Sequence, residues 1–281
     1  MSLLTIADGE REENWEEHGH LFRGFSDAYE RFMDERDDHD RPAGVHASEI
    51  TGCLRSAAYT MTGTEKKGVI GRVWRKKFEH GHWVHAGIQA AMHEMDGKFD
   101  SYQFEDEVRI NPDNNTVAAD WNIFSSCDGV ITFLKDGNPI ARMGLEIKTE
   151  SAAQFEKLTE PRDYHLDQVH VYMACLDLPA TWLMYYNKGN ENITPSAGPF
   201  LVKYTPMIWS RVVDRIVELN ALIEAGELPP RKEGIWCEWC KYAWTCHPSW
   251  RRSPRDRSGE MAMLQAGMNV ETRAWKRKGS R

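Results

Sequence analysis

Apolar positions along the chain recur first at helical and then at strand spacing. Between residues 71 and 95, Trp74, Phe78, Gly81, His85, Ile88 and Met92 return at three- and four-residue steps, which predicts one long helix. Upstream, residues 9–40 are charged and read as one or two solvated helices, and the run DERDDHDRP reads as a linker ended by Pro42. The segment HASEITGCLRSAAYTM predicts a helix that holds Cys53, with Ser48 as its N-cap. Past Gly97 the pattern changes: YQFEDEVRI, WNIFSSCDGVITFL and PIARMGLEIKTE read as strands, the last two joined by an Asp136-Gly137 turn. Helical spacing resumes over residues 151–177 through Phe155, Leu158, Leu166, Val169, Tyr172 and Met173, with Pro161 splitting the run into two helices. TWLMYYNK and GPFLVKYT are two further strands, and residues 206–225 form an amphipathic helix that stops near Gly226 and Pro229-Pro230. This order predicts a mixed α/β core with helical, cysteine-bearing additions at both ends.

At 281 residues, with 41% hydrophobic positions and eleven tryptophans, the chain can bury a full core. No apolar run reaches the roughly 20 residues of a membrane helix. The first twenty residues show no secretory pattern, so a reducing, cytoplasmic setting is expected, where thiols act as ligands or core residues. The net charge of −8 is unevenly spread. Residues 1–40 carry thirteen acids against four bases, and residues 247–281 carry nine bases against three acids. Local patches rather than the sum govern steering, so the global sign does not exclude DNA.

Candidate chemistry falls at two places. In the hairpin, a turn centred between residues 136 and 137 puts position 127 opposite Glu146, so Asp128 lies within one residue of it. Glu146 and Lys148 leave one face of their strand. Two carboxylates among core-like residues are costly to bury, and a hard divalent cation with open coordination positions would account for them. The competing reading is an exposed strand pair beside a turn. His85 lies on the apolar stripe of the long helix, whereas His82 lies off it, and Gly81 one turn earlier leaves room for another element to approach. A nitrogen donor beside carboxylates admits Mn²⁺ as well as Mg²⁺. Gln168 and Tyr172, four residues apart, share a helix face.

The second place is the cysteine set. Cys237, Cys240 and Cys246 cluster near the end of the chain and lack a fourth partner; remote Cys53 is the candidate. Cys127 and Cys175 read as buried apolar residues. Four thiolates suit zinc or a [4Fe–4S] cluster, and spacing fits either.

Together these motifs resemble the RecB-like branch of the PD-(D/E)xK nuclease superfamily, especially its iron–sulfur members such as CRISPR-associated adaptation exonucleases and phage relatives. The resemblance rests on Cys53 in GCLRSAAY, Gly81-x₃-His85, Asp128 in CDGVI, Glu146-Ile147-Lys148, Gln168-x₃-Tyr172 and Cys237-x₂-Cys240-x₅-Cys246, in that order over residues 46–247. It implies a restriction-endonuclease-like α/β core, a central mixed sheet flanked by helices, with a cluster-bearing helical extension joining the N- and C-terminal parts. It also implies that His85, Asp128, Glu146 and the Ile147 carbonyl bind Mg²⁺ or Mn²⁺, that Lys148 is catalytic, and that Gln168 and Tyr172 shape the site. The four cysteines would ligate [4Fe–4S]. The implied activity is hydrolysis of DNA, exonucleolytic on single strands or ends. The implied organisation is an acidic extension (1–42), a nuclease domain (43–247) and a basic tail (248–281). No G-x₄-G-K-[ST] occurs, so a helicase or recombination partner would be another chain, and a ring-shaped oligomer is compatible with the sequence. Two other classes compete: a non-catalytic DNA-binding module using Lys188, Lys203 and the basic tail, and an assembly protein using exposed Trp209, Trp236 and Trp250.

Overall fold

Asp136 and Gly137 both take positive φ, 52° and 75°, which is the tight turn that an Asp-Gly pair favours between two strands. The strands it joins are the longest among the described residues. The computed structural model describes Ala28 and residues 42–67, 70–96 and 98–248. The acidic helices expected before Pro42, the basic tail from Ser249 onward, Trp250 and the two outer domain divisions lie outside the described residues.

In chain order the elements are β1 (Val45–His46), α1 (Ala47–Ile50), α2 (Leu54–Met61), α3 (Arg72–Asp96), β2 (Tyr102–Ile110), α4 (Thr116–Trp121), β3 (Ile123–Lys135), β4 (Asn138–Glu150), α5 (Ala152–Phe155), α6 (Asp163–Leu176), β5 (Ala180–Asn187), β6 (Phe200–Lys203) and α7 (Pro206–Glu224). A 3₁₀ helix (Ile235–Trp239) and α8 (Ala243–Cys246) follow. The six strands make a mixed sheet of order β1-β3-β4-β5-β6, with β2 also paired to β3. Hairpins give the antiparallel pairs, and the crossover through α5 and α6 lets β5 run parallel to β4.

Helices cover both faces. Leu145 and Ile147 join Phe104, Ile131 and Met184 beneath Val84, Ile88 and Met92 of α3. The larger cluster, under α1, α6 and α7, includes Ile50, Val130, Val169, Tyr172, Leu183 and Ile216. This double covering is why the middle of β4 is buried at four consecutive residues from Gly144 to Ile147. No helix among the described residues is long and apolar enough to cross a membrane.

Several sequence expectations change. The Cys53 segment forms two short helices rather than one: Ser48 lies inside α1, and Cys53 itself occupies the N-cap of α2 without a side-chain bond. The backbone bends between them, where the Thr51 hydroxyl bonds back to Ala47 O at 2.8 Å. Short α4 and β1 were not expected; α4 is capped by Asn115, which accepts from Ala118 N at 2.9 Å. Trp209 and Trp236 are half-buried rather than exposed, and Trp209 packs on the core. Cys127 and Cys175 are buried free thiols, as their apolar surroundings predict.

His165 fixes the start of α6. Its ring is buried, with Nδ1 2.7 Å from the Tyr185 hydroxyl, which also accepts from Arg162 N at 3.1 Å. Burial first, then the charges of Lys148 and Arg162, push its pKa down to about 2.

Two predictions follow from packing. A methyl at Gly81 would sit 3.6 Å from Thr149 Oγ1, an ordinary contact, whereas one at Gly129 would sit 2.4 Å from a ring carbon of Phe104. Gly81→Ala should therefore stabilise the chain by about 0.5–1 kcal/mol and Gly129→Ala should destabilise it by about 1–3 kcal/mol in urea titrations. Because His165 is neutral when folded and binds a proton near its ordinary 6.5 when unfolded, stability is present above that value and falls as pH drops below it. Its share of the slope approaches about 1.4 kcal/mol per pH unit well below 6.5, and the slope should flatten by that amount in His165→Gln, measured by denaturation between about pH 4 and pH 5.5.

Candidate active site and cysteine cavity

A register shift between Phe133 and Leu134 decides how the two acidic strands meet. Near the turn Lys135 pairs with Asn138; past the shift Gly129 pairs with Leu145, so the next residues in step are Asp128 and Glu146. The irregularity supplies the one-residue offset that a plain hairpin lacked. Asp128 Oδ2 accepts from Ile147 N at 2.6 Å, which ties its carboxylate across to β4. Helix α3 brings His85, whose Nδ1 lies 3.4 Å from Asp128 Oδ1.

Glu146 is 2% exposed. Its Oε1 receives Lys148 Nζ at 2.5 Å and Gln168 Nε2 at 3.0 Å. Its Oε2 is buried and has no hydrogen-bond partner. Gln168 Oε1 accepts from Lys148 Nζ at 3.0 Å, and Gln168 Nε2 also lies 2.5 Å from the Tyr172 hydroxyl. Thus α6 supplies an amide that spans both charged groups, with a buried tyrosine behind it.

The charges act as one set. Burial, then the charge of Asp128, raises the pKa of Glu146 despite Lys148 beside it. For Lys148, burial pulls downward, and Glu146 with Asp128 outweigh it, so the ammonium is retained. For His85, burial likewise pulls downward, and the hydrogen bond and charge of Asp128 with the charge of Glu146 raise the value overall.

Every residue expected at the acidic site is therefore gathered there: His85, Asp128, Glu146, Ile147, Lys148, Gln168 and Tyr172. The donor chemistry fits a hard divalent cation. Two carboxylates lie close enough to affect each other's charge in a mostly apolar sheet, and one Glu146 oxygen is buried without a hydrogen-bond partner. Among the described residues no group of three or more His, Cys, Asp or Glu is arranged to hold a metal ion. Mg²⁺ sites commonly need only one or two carboxylates, the remaining positions being filled by water and phosphate.

Sequence reasoning missed Gln89. It lies one turn after His85 on α3, and its amide donates to the Asp128 carbonyl at 2.9 Å and to Glu107 Oε1 at 3.0 Å. Glu107, held also by Ser126 Oγ at 2.9 Å, is unpaired in the β2–β3 ladder and takes φ 46°. The four-residue step from His85 to Gln89 was the available signal, but a polar residue there reads as solvated until the pairing of β2 with β3 brings Glu107 under it.

Cys53, Cys237, Cys240 and Cys246 line one cavity with Arg55, Ser56, Tyr59 and His247. Its two ends are also joined without a ligand. Arg55 Nη1 donates to Pro229 O at 2.6 Å, Thr60 Oγ1 lies 3.1 Å from the Tyr242 hydroxyl, and the Tyr59 and Tyr242 rings meet at 5.2 Å. Burial pushes the Cys240 thiol up to about 11, and burial also raises Cys237 and Cys246. By ligand type, thiols suit a thiophilic metal or cluster, which would stabilise the thiolate forms that burial disfavours; among the described residues no three of these cysteines are arranged to hold one.

No protein family and no curated protein matches the chain. Among solved structures it is similar to the crystal structure of SSO0001, with 13% identity, a TM-score of 0.47, and coverage of 82% of this chain and 98% of that one. It is also similar to an alkaline exonuclease, LHK-Exo, from Laribacter hongkongensis, with 14% identity, a TM-score of 0.44, and coverage of 66% and 89%. The structure of LHK-Exo in complex with dAMP matches at 12% identity and a TM-score of 0.42, with the same coverage.

Proposed function

We propose that the chain is a divalent-cation-dependent nuclease that hydrolyses DNA phosphodiester bonds, with residues 43–247 as its catalytic unit. The observation that carries this reading is the buried Glu146 Oε2, without a partner, beside the Asp128 carboxylate and an ammonium. A non-catalytic DNA-binding module has no use for two carboxylates beside phosphate.

In this reading His85, Asp128, Glu146 and the Ile147 carbonyl hold Mg²⁺ or Mn²⁺. When bound, the cation polarises the scissile phosphate and lowers the pKa of coordinated water. Lys148, kept charged by both acids, orients the attacking water and neutralises negative charge as the pentavalent phosphate forms. Gln168 holds the Lys148 ammonium and the Glu146 carboxylate at fixed separation, and Tyr172 fixes the amide of Gln168. Gln89 anchors the Asp128 backbone to the helix that carries His85. Single-stranded DNA or DNA ends are the proposed substrates. The four cysteines are proposed as ligands of a [4Fe–4S] cluster that clasps α2 to the C-terminal segment.

Purified chain should degrade DNA with Mg²⁺ or Mn²⁺ and stop on addition of EDTA. Lys148→Ala and Glu146→Gln should each lower kcat by about 10²-fold or more while circular dichroism shows an intact fold. Equal hydrolysis by wild type and the Asp128→Ala/Glu146→Ala double variant would remove the assignment. Anaerobically purified chain should carry about four irons with a broad visible absorption band, and lose thermal stability when Cys240→Ser removes a ligand. One zinc per chain and no such band would replace the cluster with a zinc site.

A further inference from the structure

Helix α3 reaches past the active site. Trp74, Phe78, Gly81 and His85 follow one another at steps of four, three and four residues and share a face. Gly81 lies against Thr149 of β4, and His85 meets Asp128. At about 1.5 Å per residue, Phe78 and Trp74 lie roughly 10 and 16 Å from His85 along the same helix.

There the C-terminal segment adds further rings. Trp239 meets Trp74 at 4.3 Å and Phe78 at 6.3 Å, and Trp236 meets Trp239 at 5.7 Å. Trp236 then meets Tyr164 of α6 at 4.9 Å. Tyr164 is close enough to Lys148 for each to alter the other's ionisation. The row of rings therefore runs from outer α3 back to the acidic site. All five are half-buried, and none of their contacts is a parallel stack, the planes meeting at 33° to 84°. No two of these rings cover each other face to face.

The row is edged by cations. Lys77, exposed, holds its ammonium 4.0 Å from the centre of the Trp74 ring. Lys188 follows β5 directly, its backbone N–H bonded to Glu150 O at 2.9 Å. Its pKa is lowered by burial and then by the charge of Lys77, which puts the two ammoniums near one another. Glu150 is engaged by Arg162 at 2.9 Å. Neither Lys77 nor Lys188 makes a salt bridge among the described residues.

We propose that this rim is a subsite for single-stranded nucleic acid, in which Trp74, Trp236 and Trp239 receive bases and Lys77 and Lys188 receive phosphates of the strand leading to Glu146. Partly exposed aromatic rings edged by cations match the chemistry of a flexible strand, which presents both base faces and backbone charge; a duplex hides its base faces. Stacked nucleotides spaced about 3.4 Å apart put the platform three to five nucleotides from the catalytic residues. The assignment of direction along the strand rests on the nuclease reading, whereas the binding itself does not.

The test uses full-length chain in EDTA, so that nothing is cleaved, with oligo-dT and a mixed-sequence duplex as probes. Oligo-dT should quench tryptophan fluorescence and bind more tightly than the duplex in anisotropy titrations. Lys77→Ala and Lys188→Ala should each weaken binding and together reduce the slope of log affinity against log salt by about 1.4, near 0.7 per phosphate contact. Trp239→Leu, which keeps an apolar residue in the packing, should weaken binding by about 5- to 150-fold, the equivalent of 1–3 kcal/mol for one stacked base. Unchanged affinity and salt slope in the double lysine variant would overturn the subsite and leave the rings as a clamp for the C-terminal segment. Tight, quenching binding without cleavage in Mg²⁺ or Mn²⁺ would retain the subsite and overturn the nuclease reading. Cleavage by wild type with no loss in any rim variant would do the reverse.

Discussion

The carboxylate of Glu146 sets the terms for the rest of the structure. It is held almost wholly out of water in the middle of a strand whose neighbours Leu145 and Ile147 are core residues. An ionised carboxylate in such a place carries a desolvation cost of several kcal/mol unless other groups answer it. One oxygen is answered twice, by Lys148 and Gln168, and the other is not answered at all. The surrounding elements can be read as supports for this half-satisfied group. Strand β3 presents Asp128, α6 presents Gln168, and α3 presents His85. A core sheet that tolerates an unmatched charge stores a cost that a bound cation relieves, and this links the packing of β4 to the proposed chemistry.

The individual supports are coupled through the backbone. Asp128 takes the Ile147 N–H with one carboxylate oxygen, and Gln89 takes the Asp128 carbonyl, so the acid is held on both sides of its own peptide. Gln89 in turn rests on Glu107, a non-glycine residue at φ 46° that is left out of the β2–β3 pairing while the register on either side of it is unchanged. A left-handed conformation at such a residue persists only where its surroundings over-determine it. Here the Gln89 amide and Ser126 hydroxyl do so by binding both carboxylate oxygens. Glu107 and Asp128 are thereby parts of one construction.

Much of this was legible because period and chemistry coincide. The stripe through Trp74, Phe78 and His85 marked α3, and Glu146 with Lys148 marked a strand face. Pro161 falls in the break between α5 and α6. The near miss in the hairpin is instructive: symmetry about the Asp-Gly turn put residue 127 opposite Glu146, and the shift at Phe133–Leu134 moved Asp128 there instead. A bulge leaves no composition signal at the residues it realigns. The same reason hides Glu107 and Gln89, whose roles exist only after β2 is laid on β3. Ser48 is not the cap because α1 starts at Ala47 with His46 at its N-cap, and Thr51 then closes it before the chain restarts at Cys53.

The cysteine segment looked from sequence like a centre of chemistry, and in the structure it also acts as a wall. Cys237 and Cys240 alternate with Trp236 and Trp239, so residues that line the cavity are interleaved with residues that pack on α3 and Tyr164. A 3₁₀ turn makes this possible, because its three-residue period sends Trp236 and Trp239 to the same side. Whatever orders the thiols therefore orders the indoles. Arg55 and Tyr242 hold the segment against α2 on one side, and the indoles hold it against α3 and α6 on the other. Trp236 and Tyr164 thus connect the wall of the cysteine cavity to the surroundings of Lys148, so packing at the one place bears on the geometry of the other.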